Sequence, residues 1–304
     1  MVFRNLIRYR GFLSRRAFLI GACSSALAMA CSSSSAMKAP VTGIRYLRSG
    51  FADGLVSPSS LVANYAQRAP FFFFAADGKA IVNDLPDQVS GILTMPSGKE
   101  TSVTLQKYSE GIPTPYFLLE FESGEVGLHR LSIGEGNEAQ SLSFLLVTKD
   151  EAGLVQVGDE MKIAETPTFS NPLDFNPICT RFDPCPFHTM TLEDALLNGS
   201  PTVLLISTPG FCQTSICGPI LEILLSLLDQ NQRSFNVIHA EVYSEPEKLS
   251  LGTNLEDLLA PVVVEYGMNF EPSLIVSNID GVVTARLDYA FDRVELERAL
   301  SSIS

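Results

Sequence analysis

The sequence predicts an all-β domain followed by an α/β domain. Three observations indicate this order. Short apolar or alternating runs separated by turn residues fill the chain up to about residue 149, an irregular proline-rich stretch covers residues 161–190, and helical periodicity follows it. The chain has 304 residues, 46% hydrophobic and 18% charged, which is enough for one or two domains with a hydrophobic core. This composition excludes disordered and collagen-like proteins.

The first predicted domain covers residues 66–160. Its apolar runs are separated by turn signals such as Asp77-Gly78 and Ser123-Gly124, and no helical stretch interrupts them. Strands at this spacing are typical of a small β-sandwich of the immunoglobulin-like kind. No cluster of catalytic residue types lies in this part of the sequence.

The second predicted domain covers residues 191–304 and alternates between strands and helices. Its proline-rich linker, residues 161–190, carries two cysteines. The predicted elements are helix Thr191–Leu197, strand Pro201–Ser207, helix Pro219–Gln230, strand Phe235–Tyr243, helix Leu255–Tyr266, strands Ser273–Ser277 and Val282–Leu287 across an Asp-Gly turn, and helix Asp292–Ile303. This order favours an α/β domain.

The N-terminus resembles a bacterial twin-arginine export signal. Arg15 and Arg16 precede an apolar run, Ala17–Ala30, which at 14 residues is shorter than the ~20 that span a bilayer. We therefore predict that residues 1–30 are a signal peptide and that residues 31–65, rich in Ser and Gly, are a tether.

The end of the apolar run is similar to a lipoprotein cleavage box. Cleavage before Cys31 would make this cysteine the lipidated first residue, whereas the alternative box ending at Cys23 would leave a very short apolar region. The resemblance implies a lipoprotein outside the cytoplasm, in the periplasm or on the outer face of the cytoplasmic membrane.

The charge of the chain excludes two classes of partner. Five of the 21 basic residues and none of the 34 acidic residues lie in the first thirty positions, so the rest of the chain has a formal net charge of −18. A body this acidic argues against nucleic acid and against anionic membrane as ligands.

Four cysteines remain after the leader and Cys31: Cys179, Cys185, Cys212 and Cys217. Disulfides are permitted in an oxidising compartment. Four cysteines allow three pairings, and only proximity in sequence favours 179–185 with 212–217. The first pair is interpreted as a structural disulfide that holds the proline-rich linker.

The spacing of the second pair restricts its geometry. In a regular helix, residues five apart have Cα atoms roughly 8.6 Å apart, beyond the ~7 Å that a disulfide can bridge. A bond between Cys212 and Cys217 therefore requires an irregular segment, or one that unwinds on oxidation. We expect an irregular segment if the helix begins near Pro219.

The region from about residue 188 to 303 resembles a thioredoxin-fold domain, and the wider chain is similar to bacterial exported thioredoxin-domain lipoproteins. A cysteine pair between the first strand and a helix, the proline of Phe270-Glu271-Pro272, and the Asp280-Gly281 hairpin carry the resemblance. It implies thiol–disulfide exchange, with a cis bond before Pro272 and a substrate groove shaped by this residue.

A second resemblance is to Q-type peroxiredoxins. The segment Thr208-Pro-Gly, followed after the inserted Phe211 by Cys-x4-Cys-Gly, is similar to that family and implies that Cys212 attacks and Cys217 resolves. The segment Cys217-Gly-Pro instead resembles the start of the thioredoxin motif, which would make Cys217 the attacking cysteine. Pro209 stands where the family has the threonine that binds peroxide, so thiol peroxidase activity is the alternative rather than the first hypothesis.

The predicted function is thiol–disulfide exchange on thiols and disulfides of envelope proteins, with an unidentified redox donor. A third hypothesis, a binding module with structural disulfides, also stays open. Glu241, in the middle of a predicted strand, is a possible proton acceptor. A four-cysteine zinc site lacks the usual ligand spacings, and copper ligation by His188 and His239 is a minor alternative. We therefore predict no metal and no cofactor.

Overall fold

Twelve β-strands and five α-helices form the part of the chain that the structure describes. The computed structural model describes residues 45–134, 139–212, 215–229, 234–251 and 253–303. The predicted signal peptide, with Arg15 and Arg16, and the predicted lipidation site Cys31 lie outside these residues. Over the described ranges, no helix has both the length and the apolar character needed to cross a bilayer.

The elements follow one another in two blocks. The first block contains β1 (Arg45–Ser49), β2 (Leu61–Val62), β3 (Ala66–Ala75), β4 (Gln88–Thr94), β5 (Glu100–Tyr108), β6 (Tyr116–Glu122), β7 (Gly127–Ile133), β8 (Gln140–Val147) and α1 (Lys149–Ala152). The second contains α2 (Leu192–Leu197), β9 (Thr202–Ile206), α3 (Cys217–Asp229), β10 (Asn236–Ala240), 3-10 helices at Pro246–Leu251 and Leu255–Leu258, α4 (Pro261–Glu265), β11 (Ser273–Ser277), β12 (Val283–Asp288) and α5 (Arg293–Ser301).

The first block forms one curled sheet of eight strands in the order β1-β3-β6-β5-β4-β7-β8-β2. The curl brings β1 towards β8, and the backbone N–H of Leu47 donates to Oε1 of Gln140 over 2.6 Å. The predicted immunoglobulin-like β-sandwich is therefore wrong, because a single sheet curls around its own core instead of two sheets packing face to face. β1 and β2 also lie inside the stretch 31–65 that was expected to be a tether.

The core of the curled sheet consists of apolar side chains that alternate along its strands. Phe71, Phe117 and Phe144 are fully buried there, and Phe51 packs edge-on against Phe71 at 5.3 Å between ring centroids. Burying such rings contributes ~1.5–3 kcal/mol each.

The second block forms a four-stranded sheet in the order β10-β9-β11-β12. β9 and β10 are parallel, and β11 is antiparallel to both of its neighbours. Alternate residues of β9 enter different cores: Leu205 packs with α3 and α5, while Leu204 packs with α2 and α4. Burial on both faces explains why this strand is a continuous apolar run.

The predicted fold class, an α/β thioredoxin-like domain behind a β-sandwich, is contradicted by this architecture. The structure is rich in sheet, with 34% strand and 18% helix. The predicted helix Leu255–Tyr266 is instead a 3-10 turn and the five-residue α4. The physical reason lies at Pro261, since a proline disfavours helical backbone in the preceding residue, and Ala260 is extended with ψ of 145°.

The two sheets pack together within one compact unit, Thr42–Ser304. Arg68 of β3 forms a buried ion pair with Glu295 of α5 at 2.6 Å, and the hydroxyl of Tyr116 donates to the same carboxylate. Asp292 accepts hydrogen bonds from the backbone after β5. These polar contacts hold the curled sheet against α5 and the residue that precedes it, Asp292.

Candidate functional site

Cys212 and Cys217 form a disulfide that connects the segment after β9 to the first residue of α3. Their Cα atoms are 6.0 Å apart, within the span of a disulfide. Helix α3 begins only at Cys217, and Ser215 has a positive φ of 58°. The regular helix therefore does not include Ser215, which agrees with the geometric expectation from sequence for a bond between Cys212 and Cys217.

The two sulfurs of this disulfide differ in accessibility. Cys217 is fully buried, whereas Cys212 is partly exposed. Phe211, directly before Cys212, leaves 41% of its surface exposed. A thiolate from another molecule can therefore approach Cys212 but not Cys217.

A partly buried carboxyl group lies against the inner sulfur. Oε2 of Glu271 is 3.6 Å from Sγ of Cys217 and accepts a hydrogen bond of 2.7 Å from the backbone N–H of Thr208. Burial raises the pKa of Glu271 to about 7, although the hydrogen bonds from Thr208 oppose this effect. At neutral pH this group can both give and take a proton, which suits it to general acid–base chemistry.

Pro272 directly follows Glu271 in the chain. The Glu271–Pro272 peptide bond is cis, as the resemblance implied, and the buried Pro272 directly precedes β11. Glu271 therefore lies at the end of the sheet where the segment after β9 also leaves it. Glu271 was not among the residues predicted from sequence, and its position next to the expected cis-proline was the signal that could have identified it.

Glu241, the proton acceptor considered from sequence, lies in a different environment. It is buried just beyond β10, and its Oε1 accepts hydrogen bonds from the backbone N–H of Thr180 at 2.7 Å and from the hydroxyl of Thr180 at 3.0 Å. Burial raises the pKa of Glu241 to about 7. Its carboxylate therefore anchors the proline-rich segment to the sheet.

Thr180 also supports the backbone before the disulfide. Its Oγ1 accepts a hydrogen bond of 2.9 Å from the backbone N–H of Gly210. A Cβ atom at position 210 would lie 2.7 Å from the carbonyl oxygen of Thr180, a distance that side-chain carbons do not adopt. Glycine at this position allows the two segments to touch.

Cys179 and Cys185 do not form the predicted structural disulfide. Both are free and buried. They lie with His188 and His239 in a cluster in which one ligand atom from each residue is within 4.8 Å of every other. The hydrogen bond from Cys185 lowers the pKa of Cys179, and His239 adds to this effect.

The structure thus separates the predicted site residues into two groups. Cys212, Cys217 and Glu271 form one cluster, with Pro272 adjacent, while Cys179 and Cys185 join the two histidines in another. The histidines had been considered as metal ligands from sequence, and their convergence with this cysteine pair depends on contacts between the proline-rich segment and β10.

The comparisons with known proteins assign no family to the chain. No family model matches it, and no curated protein has a significantly similar sequence.

Proposed function

We propose that the chain catalyses thiol–disulfide exchange through the Cys212–Cys217 pair, with Glu271 as the proton donor and acceptor for Cys217. The observation that carries this proposal is the 3.6 Å contact between Sγ of Cys217 and the partly buried carboxyl group of Glu271. A structural disulfide has no need for a titratable group at its inner sulfur, whereas an exchanging disulfide releases a thiolate there that must be protonated.

The reaction of the oxidised protein begins at the partly exposed sulfur. A substrate thiolate attacks Sγ of Cys212, a substrate–Cys212 disulfide forms, and the Cys212–Cys217 bond breaks. Cys217 leaves with the electron pair as a thiolate and takes the proton of Glu271. Cys217 is buried, so a thiolate there would be a charged group in an apolar environment. Proton transfer from Glu271 makes this sulfur neutral.

The second half of the reaction releases the substrate. A second substrate thiolate attacks the substrate sulfur of the mixed disulfide, and Cys212 leaves as a thiolate. The substrate has then lost two electrons, and the Cys212–Cys217 pair has gained them. In the reverse direction, Glu271 accepts the proton of Cys217 as this cysteine attacks Cys212 and closes the disulfide.

The proposed substrates are thiols and disulfides of other proteins of the cell envelope. The twin-arginine motif at Arg15 and Arg16 and the lipoprotein-type box at Cys31 support a lipid-anchored location outside the cytoplasm. The exposed ring of Phe211 gives an apolar contact for a partner chain next to the reactive sulfur.

The first test is the reduction potential of the Cys212–Cys217 pair in the purified protein. The protein is equilibrated in glutathione buffers, its free thiols are alkylated, and each site is quantified by mass spectrometry. A value between roughly −120 and −270 mV, the range of exchange enzymes, is expected. A value below about −300 mV would identify a structural disulfide and overturn the proposal.

A kinetic test addresses the role of Glu271. Exchange with a disulfide-bonded peptide is measured between pH 5 and pH 8 for the wild type, Glu271→Gln and the control Glu256→Gln, which changes an exposed carboxylate. Removing a general acid–base group should slow exchange by roughly 100-fold and flatten the pH profile near 7. Equal rates for the wild type and Glu271→Gln would remove Glu271 from the mechanism.

Rapid consumption of hydrogen peroxide without peptide exchange would assign the site to the peroxidase class.

A further inference from the structure

The cluster of Cys179, Cys185, His188 and His239 is a second chemical site, separate from the disulfide. At most 3% of the surface of any of these residues is exposed. Three of them come from the proline-rich segment, and His239 comes from β10, the edge strand of the four-stranded sheet. Polar side chains are seldom enclosed in this way unless they bind one another or a common ligand.

The distances in the cluster match those of a tetrahedral metal site. Nδ1 of His239 is 3.8 Å from Sγ of Cys179 and 3.4 Å from Sγ of Cys185. In a tetrahedron with metal–sulfur bonds of about 2.3 Å and metal–nitrogen bonds of about 2.0–2.1 Å, sulfur and nitrogen ligands lie roughly 3.6 Å apart. Nδ1 of His239 is therefore already at the separation from both sulfurs that a shared ion requires, and the other ligand atoms lie within 4.8 Å of one another.

His239 is oriented as a ligand by its other nitrogen. Its Nε2 lies 3.1 Å from the carbonyl oxygen of Ser207, and because a carbonyl oxygen only accepts hydrogen bonds, this contact favours the tautomer with the hydrogen on Nε2. Nδ1 then presents its lone pair to the two sulfurs. Imidazoles that bind metals are commonly held by such a hydrogen bond from the second nitrogen to a carbonyl group.

His188 supplies an independent indication of a ligand. Both of its ring nitrogens are buried, and neither has a hydrogen-bond partner among the described residues. Its ring is 5.1 Å from that of His239, measured between centroids, and the edge of Phe169 covers it. One nitrogen of His188 lies within 4.8 Å of the other three ligand atoms, so a metal ion would satisfy it.

We propose that Cys179, Cys185, His188 and His239 bind a zinc ion in a closed, four-coordinate structural site. Two thiolates and two imidazoles in a buried tetrahedral arrangement form a typical donor set for Zn²⁺, and the four protein ligands leave no position open for catalysis. On binding, each cysteine forms a sulfur–zinc bond and releases its proton to solvent.

The ion would fasten the proline-rich segment to the sheet edge. The carbonyl oxygen of Phe187 accepts a hydrogen bond of 3.2 Å from the backbone N–H of His239, so this segment already lies along β10. Thr180, next to the first ligand, supports Gly210 before the disulfide. A zinc ion would therefore stabilise the segment on which the backbone near Cys212 rests. This inference is independent of the proposed exchange reaction.

The test is the metal content and metal affinity of the purified full chain. We expect one zinc per chain by inductively coupled plasma mass spectrometry. His188→Gln and Cys185→Ser should lose it, whereas the control double substitution Cys212→Ser, Cys217→Ser should keep it. Since a buried variant can fail to fold, wild-type protein stripped by a chelator is also titrated with Co²⁺, and intense visible bands of tetrahedral cobalt with thiolate ligands are expected at one equivalent.

Alkylation provides the second readout. In the zinc-loaded protein, Cys179 and Cys185 should be protected from iodoacetamide at a urea concentration at which both are alkylated in the chelator-stripped protein. Four results would overturn the proposal: no zinc and no cobalt bands, a Cys179–Cys185 disulfide in the isolated protein, copper in place of zinc, or full zinc content in a folded His188→Gln variant.

Discussion

The two cysteine pairs of this chain are similarly spaced but have different neighbours. Cys212 and Cys217, with four residues between them, are joined as a disulfide, and a carboxyl group lies 3.6 Å from the inner sulfur. Cys179 and Cys185, with five residues between them, are free, buried and surrounded by imidazoles. Spacing alone would have assigned both pairs to the same kind of bond.

The difference shows that the neighbouring groups determine the chemistry of a thiol. A carboxyl group with a pKa near neutrality can move a proton on and off sulfur, which supports exchange. An imidazole nitrogen with a free lone pair can bind the same metal ion as a thiolate, and protons compete with that ion for both ligands. Imidazoles beside thiols therefore support metal binding. The predictions below test whether these two roles are separate.

The largest expected effect is on exchange activity. Cys212→Ser should reduce peptide disulfide exchange by at least about 1000-fold, because a serine hydroxyl neither ionises near neutral pH nor forms a disulfide. Cys179→Ser should lose zinc but keep most of the exchange rate. Both variants are compared in the same assay after circular dichroism has shown that they fold. Loss of exchange in a folded Cys179→Ser variant would show that the two pairs act together.

The next effect concerns stability and pH. The raised pKa of Glu271 means that the folded state holds a proton that the unfolded state releases between about pH 4.5 and pH 7. The free energy of unfolding of the oxidised wild type should therefore fall by about 3 kcal/mol relative to Glu271→Gln as pH rises through this window. Glutamine keeps an acceptor for the N–H of Thr208.

Urea unfolding at pH 4.5 and pH 8 measures this difference. The exposed control Glu256→Gln should follow the wild type at both values. Parallel curves for the wild type and Glu271→Gln would mean that folding does not raise the pKa of Glu271, which would then be ionised at neutral pH and unable to donate a proton.

Zinc should stabilise the protein to a comparable extent. A free zinc concentration of about 100 times the dissociation constant raises the free energy of unfolding by about 2.7 kcal/mol. For a chain of this size, that corresponds to an increase of roughly 5–10 °C in the melting temperature. Differential scanning calorimetry of stripped and zinc-loaded protein measures the shift. An equal shift in His188→Gln would indicate binding at another site.

The smallest effect is expected at Thr180, which lies between the two pairs. Thr180→Val removes the hydroxyl that donates to Glu241 and accepts from Gly210, at a cost of about 1–2 kcal/mol. Thr180→Ser keeps the hydroxyl and is the control. Urea unfolding of the three proteins should rank the valine variant lowest. A valine variant as stable as the wild type would show that this contact does not link the segments.

Local elements were easier to predict than the fold. The apolar run at β9, the Asp280-Gly281 hairpin and the α5 region lie close to their predicted positions, because periodicity and turn residues act over a few positions. The sandwich was wrong because alternation shows which side chains face a core but not whether the strands form one curled sheet or two packed sheets. The helix at Leu255–Tyr266 was wrong because Pro261 overrides its apolar period.

The sequence by itself determined the residues that can carry chemistry and excluded a disulfide between Cys212 and Cys217 within a regular helix, since covalent geometry fixes how far apart helical positions lie. Only the tertiary structure decided which neighbours these residues have. Glu271 contacts Cys217, and His239 contacts Cys179 and Cys185, because the fold brings together segments that are distant in sequence. Burial then raises the pKa of Glu271, and it leaves the nitrogens of His188 without a hydrogen-bond partner among the residues that the structure describes. Both effects depend on the enclosing fold.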